Sequence, residues 1–364
     1  MNAGHIFLIA GIAIGLASAS AVVVVVVAKL RRGRATVRSR AILAPYRSSL
    51  IIMVSGEDED GQALAALSAV PESIWVQLRS SVVAFLPKVR GLPADNLGEL
   101  MRSHGEIDQA TRMLTSSSAV HRARAAYLLG LVRDPSSAEL LPLLRDHDAD
   151  VRLVAARTLG LIGDPVAATG VLLALRTHHG QIGLPAWVAA EALLAMGLEI
   201  APVLQIGLAS KDPAVRDVCA VVAGHGTYLS AVPQLRVLLA TDSDGQVRIS
   251  SAVALGRVGG ADDATILARH TDASEPTVLR RTCAVALGDL GQRESLEALA
   301  GLLADDDRRL AELAADSLVR IGSEGIARLE MVTATQQGAA ARAAGGALEL
   351  AGLRGLGVLS ETGS

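Results

Sequence analysis

From residue 115 onward, two periods are superimposed in the apolar positions. Within segments of about 14 residues they follow a helical stripe, as at Val151, Val154, Ala155, Leu159 and Ile162. The segment "VRLVAARTLGLIGDP" (151–165) then returns, varied, along the chain. One of its positions reads Ala126, Ala156, Ala190, Ala220, Ala252, Ala284 and Ala315. Three residues on stand Leu129, Leu159, Leu193, Ala223, Leu255, Leu287 and Leu318. The copies are spaced by 30, 34, 30, 32, 32 and 31 residues, and a weak eighth shows at Leu348 and Gly352. Such a period marks an array of stacked units rather than one compact core.

Each unit reads as two helices. Leu140, Leu141, Leu143 and Leu144 line a first helix, and the 151–162 stripe lines a second. Asp148 or Asp150 supplies the N-cap of that second helix, while Asp134-Pro135 and Asp164-Pro165 open first helices. Gly163, Gly197, Gly259, Gly291 and Gly322 end second helices, where glycine adopts positive φ at least cost. The invariant alanine implies that neighbouring second helices approach too closely there for a larger side chain.

These seven aligned copies resemble the HEAT family of α-helical repeats, especially the short "DxxVRxxAAxALGxIGDP" type named after phycobilisome lyases. The resemblance covers residues 115–352. It implies an all-α fold, a right-handed α-solenoid of stacked helical hairpins of the HEAT/armadillo kind. Residues 35–114 read as helical too, with "SIWVQLRSSVVAFLP" (73–87) and "NLGELMRS" (96–103) as helices and 61–114 as degenerate repeats leading into the array. The acidic "GEDED" (56–60) reads as an exposed turn, and residues 353–364 as a tail.

The N-terminus follows another pattern. Residues 6–28 carry no charge over 23 positions. At about 1.5 Å per residue they would reach roughly 34 Å, enough for a bilayer core of about 30 Å. Ala17-Ser18-Ala19 has the look of a cleavage site, but no basic residue precedes the apolar run, which continues nine residues beyond it. A single uncleaved transmembrane helix is expected. Lys29, Arg31, Arg32, Arg34, Arg38 and Arg40 follow within the basic segment and linker at 29–60. That asymmetry places residues 1–5 outside and the solenoid on the cytoplasmic face of the inner or plasma membrane. Lys29, Arg31, Arg32 and Arg34 are candidates for contact with anionic lipid headgroups.

Charge narrows the partners. Residues 51–364 hold 27 Lys and Arg against 37 Asp and Glu, a net of −10, and the whole chain has seven aromatic rings. An acidic body with few rings argues against nucleic acid. Cys219 and Cys283 sit in a column of small residues two repeats apart and read as packing residues, too distant for a disulfide. No cofactor or metal is expected. None of the eight histidines precedes a glutamate, as the iron-binding dipeptides of HEAT-type deoxyhypusine hydroxylases require, and His178-His179 reads as a solvated loop. Nucleotide-binding and nucleophile-elbow motifs are missing.

Surface columns remain. Arg122, Arg152, Arg216, Arg248 and Arg280 share a register four residues after Ser118, Asp148, Asp212 and Asp244 in four of the units. Two readings stand open: an Arg–Asp ladder joining turns and caps, or a partner-binding row formed by Arg152, Arg216, Arg248 and Arg280. Trp187, in a column of mixed character after the long "RTHHGQIGLPAW" connection, is a candidate partner anchor or a packing residue. The expected function is a non-enzymatic, membrane-anchored scaffold binding a protein partner. Bacterial single-span proteins that resemble this one are sometimes associated with membrane glycosyltransferases. The alternatives are a phycobilin-lyase-like enzyme or accessory, and a module docking on anionic lipid.

Overall fold

The structure, a computed structural model, describes residues 44–134, 137–176 and 183–355. The expected span at 6–28 and its basic flank lie outside them, as do Pro135, His178-His179 and the end of the tail. No strand occurs among the described residues, and no single helix there is long and apolar enough to cross a membrane. The chain divides into two compact units, residues 1–109 and 110–364.

The first unit contains α1 (44–55), α2 (Gln62–Ser68), α3 (Glu72–Phe85), α4 (Leu92–Ser103) and the start of α5 (Glu106–Met113). Leu50, Met53, Leu67, Leu78, Leu97, Leu100 and Met101 fill its interior. Residues 44–55, within the 29–60 segment, are helical and bury Leu50 and Met53. One expectation needs correction here. The "GEDED" turn is not wholly exposed, since Asp58 is buried and accepts from the Ala63 and Leu64 N–H groups at 2.8 and 3.0 Å. It thereby satisfies two donors that the start of α2 leaves unpaired.

A polar cluster with no signature in the local sequence lies in this unit. Trp75, 1% exposed, stacks on His104 at 4.0 Å and donates to Glu106 Oε1 at 2.9 Å. Arg79 pairs with the other carboxylate oxygen at 2.9 Å, so a buried acid has a charged partner.

The second unit is a stack of hairpins. After α6 (Ala119–Leu131), first and second helices alternate: α7 (Ser137–Leu140) with α8 (Ala149–Ile162), α9 (Ala167–Leu173) with α10 (Ala186–Ala195), and α11 (Ala201–Leu208) with α12 (Pro213–His225). Then come α13 (Val232–Thr241) with α14 (Gly245–Val258), α15 (Ala261–Arg269) with α16 (Thr277–Leu290), α17 (Ser295–Leu302) with α18 (Arg308–Ile321), and α19 (Ser323–Thr335) with α20 (Ala339–Gly355). Each even-numbered helix from α6 to α20 packs on the next even-numbered one, which makes one layer. The first helices form the other. α7 stops after one turn and continues as a 3-10 turn, Leu141–Arg145, because Pro142 removes a backbone donor.

The predicted columns are internal. The seven alanines of the invariant register are at most 8% exposed, and every residue of the Leu129 column is fully buried. The closest approach between second helices falls elsewhere, on a glycine column four residues after the alanines. A Cβ on Gly160 would lie 2.9 Å from Ala192 Cα. On Gly224 it would lie 2.7 Å from Ala254 Cα, and on Gly256 2.8 Å from Ala286 Cα. Helix backbones therefore touch through the glycine that follows the Leu129 column (Leu-Gly, or Ala223-Gly224), with small residues of the next helix opposite. The α10–α12 step departs from this, carrying Leu194 in the glycine register.

The terminal glycines do two different jobs. Gly163, Gly197, Gly291 and Gly322 have φ between 65° and 101°, as expected. Gly259 does not, with φ −72°, and is glycine because a Cβ would stand 2.9 Å from Asp263 Oδ2.

Candidate interaction surfaces on the repeat stack

Asp148, Asp212, Asp244 and Asp307 are N-caps of their second helices, each accepting backbone N–H groups of the first turn. Asp150 is not the cap of α8. The arginine column does not pair with these caps. Arg122 Nε and Nη2 grip both oxygens of Asp146, in the turn before the next second helix, at 2.7 Å each. Arg216 repeats that fork on Asp242, also at 2.7 Å twice. Arg248 reaches Glu275 at 2.6 Å and Arg280 reaches Asp305, in both cases one repeat onward.

The acid is oriented by the turn it sits in. Asp146, Asp242 and Asp305 each accept the N–H of the residue two positions later, at 2.9 Å, and that residue is the N-cap. An Asp-X-Asp turn therefore offers one carboxylate to the helix below and the other to the arginine of the preceding repeat. Burial alone would raise the Asp146 and Asp242 carboxyls, but their arginines and the donated N–H hold both below the ordinary value. Arg216, Arg248 and Arg280 are thus engaged inside the stack, their side chains 13%, 17% and 11% exposed. Arg152 turns to the Asp146 carbonyl of its own repeat at 2.8 Å.

Trp187 has a different setting. It lies in the first turn of α10, just after Pro185, and is 61% exposed. Its equivalents Leu153, Asp217, Ile249, Arg281 and Glu312 are half-buried. The Arg157 guanidinium of α8 sits 5.2 Å above the Trp187 ring and bonds Glu191 of α10 at 3.2 Å. The indole is held by a cation and presented to solvent. Tyr127, also exposed, occupies the Arg157 register one repeat earlier. On α10 that register holds exposed Glu191, and beyond it stand half-exposed Val221, Val253 and Val285 on α12, α14 and α16. An apolar track leaves Trp187 across the second-helix layer. Beside it, burial outweighs the hydrogen bond from Ser250 and raises the Asp217 carboxyl.

Cys219 and Cys283 are free and buried, and desolvation pushes both thiols up to about 12. Among the described residues no group of three or more His, Cys, Asp or Glu side chains is placed to hold a metal.

Comparison with known proteins agrees on the repeat. Residues 107–197 and 200–287 match the HEAT repeats family. No curated protein sequence matches the chain. Among solved structures, human deoxyhypusine hydroxylase is similar over 69% of this chain and 98% of its own, at 20% identity and TM-score 0.29. The CpcE–CpcF complex of phycocyanin lyase from Nostoc is similar over 63% and 94%, at 21% identity and TM-score 0.33. Kap121p is similar over 74% of this chain and 33% of its own, at 14% identity and TM-score 0.40.

Proposed function

We propose that this chain is a membrane-anchored scaffold whose HEAT repeats hold a partner protein against the second-helix layer. The observation that carries the reading is Trp187. A large apolar ring is kept in solvent by an arginine, on a face continued by apolar positions of the following repeats. Exposed tryptophan with neighbouring arginine is the composition of energetic anchors in protein interfaces, and stacked repeats present such anchors along an extended surface. Arg216, Arg248 and Arg280 contribute indirectly, by fixing the spacing of the helices that carry the track.

The anchor is supported by the 23 uncharged residues at 6–28 and by Lys29, Arg31, Arg32 and Arg34 immediately after them. Tethering raises the effective concentration of the stack toward partners in or at the same membrane. The partner class we favour is a membrane enzyme such as a glycosyltransferase, approached from the cytoplasmic side.

The test is differential co-purification of the full-length tagged chain, solubilised in mild detergent. A protein retained by the wild type and by Glu330→Ala, an exposed position on α19 in the first-helix layer, but lost from both Trp187→Ala and Arg157→Glu, supports the reading. Equal recovery from all four chains contradicts it.

A further inference from the structure

The layer of first helices carries a second surface unrelated to Trp187. Six large apolar side chains on α9, α11 and α13 face solvent, with exposures between 45% and 77%. Val166, Leu198 and Leu229 stand where the three helices begin, and Leu173, Ile206 and Val237 stand about two turns later in equivalent positions. Pro202, Ala209, Pro233 and Ala240 are exposed beside them. Glu199 and Arg236 are the ionisable side chains of these three helices and their 3-10 leads, and Arg236 is tied to buried Asp263 at 2.6 Å.

The repeat itself does not call for this. The register of Leu198 and Leu229 continues as Ala261 and Arg293, and that of Val237 continues as exposed Arg269. Packing leaves these positions to solvent in the two following repeats as well, and charged residues occupy them there without loss. An apolar block with only Glu199 and the paired Arg236 as ionisable side chains, confined to three consecutive helices, marks an interface.

We propose that this block is where a second copy of the chain docks. With scarcely any charge it offers nothing to a strongly acidic or basic partner, whereas it matches itself. It consists of two ridges of the same residue kinds, and a two-fold axis running along α11 sets each ridge of one copy against the same ridge of its partner. α9 then meets α13 of the second copy, and Ile206 lies near the axis. Helices spaced about 10 Å apart and ridges some eight residues apart give a core of roughly 20 by 12 Å. A rim one side chain deep brings each copy to the scale of about 800 Å² that a standard stable interface covers.

Cysteine cross-linking of the full-length chain in its membranes tests this, because native Cys219 and Cys283 are both fully buried and stay silent. Ile206→Cys with a short bis-maleimide is expected to give a product of twice the chain mass. Adding Leu198→Arg should lower its yield severalfold. Val278→Cys, also exposed but on α16, should give none. An Ile206→Cys chain that stays at monomer mass, that joins a protein of another mass, or that dimerises no more than Val278→Cys overturns the proposal. None of these outcomes depends on Trp187, so the scaffold reading stands or falls separately.

Discussion

Gly256 faces Ala286 of the next second helix so closely that a Cβ on the glycine would stand 2.8 Å from the alanine Cα. This contact sets the sign of a substitution that helix propensity alone would get wrong. Alanine in place of an internal helical glycine normally gains up to about 1 kcal/mol. Here backbone must move, and overpacking of this kind costs about 1–3 kcal/mol. Gly256→Ala is expected to lower the melting temperature by several degrees at roughly 2–4 °C per kcal/mol. Gly301→Ala on α17, where nothing lies within 4 Å, should leave it unchanged or raise it. Thermal melts by circular dichroism compare the two.

The alanine register makes a second case. Ala156 is fully buried, and Ala156→Leu adds three carbons to a filled layer. A drop of several degrees is expected in the same melt. An unchanged curve would show that the layer has room there and that the aligned register is misplaced.

Much of this was legible because repetition averages out local ambiguity. Seven alignable copies place Ala156 and Leu159 inside, and both are fully buried. The contact column was also written in every "LG" pair, but one register of small residues is hard to tell from its neighbour without knowing where helices cross. The arginine ladder shows a different limit. Arg216 has Asp212 four residues away and Asp242 a repeat away, and proximity in sequence favours the wrong one. The signal that identifies the partner is the recurring Asp-X-Asp at 146–148, 242–244 and 305–307, since two acids in one turn cannot both be caps. The first unit lacks a register altogether. Nothing local shows that Asp58 is the buried member of "GEDED", nor that Trp75 will meet Glu106 across 31 residues.

The ladder predicts how acid affects the fold. Asp146 and Asp242 both titrate below their ordinary value in the folded chain. Carboxyls depressed by folding contribute stability that is complete above the unfolded value of about 3.9 and is lost as pH falls through the native one. The melting temperature should therefore decline below about pH 4. Asp242→Asn should be less stable at neutral pH and decline less steeply on acidification. Arg216→Met combined with Asp242→Leu, which removes both charges at once, should recover part of the loss.

The thiols supply a further check. With desolvation holding them up to about 12, Cys219 and Cys283 present almost no thiolate at pH 8. A maleimide should leave the native chain unlabelled and modify both cysteines once denaturant is added. Rapid labelling of the native chain would mean that α12 and α16 open readily.

The scaffold assignment rests on whether Trp187 touches a partner in the cell. A photoreactive amino acid placed at 187 in the full-length chain, with a second chain carrying it at Glu330 in the first-helix layer, measures this directly. The account predicts one adduct of defined mass from position 187 that is missing at 330. Adducts of the same pattern from both positions, or none from 187, would contradict it.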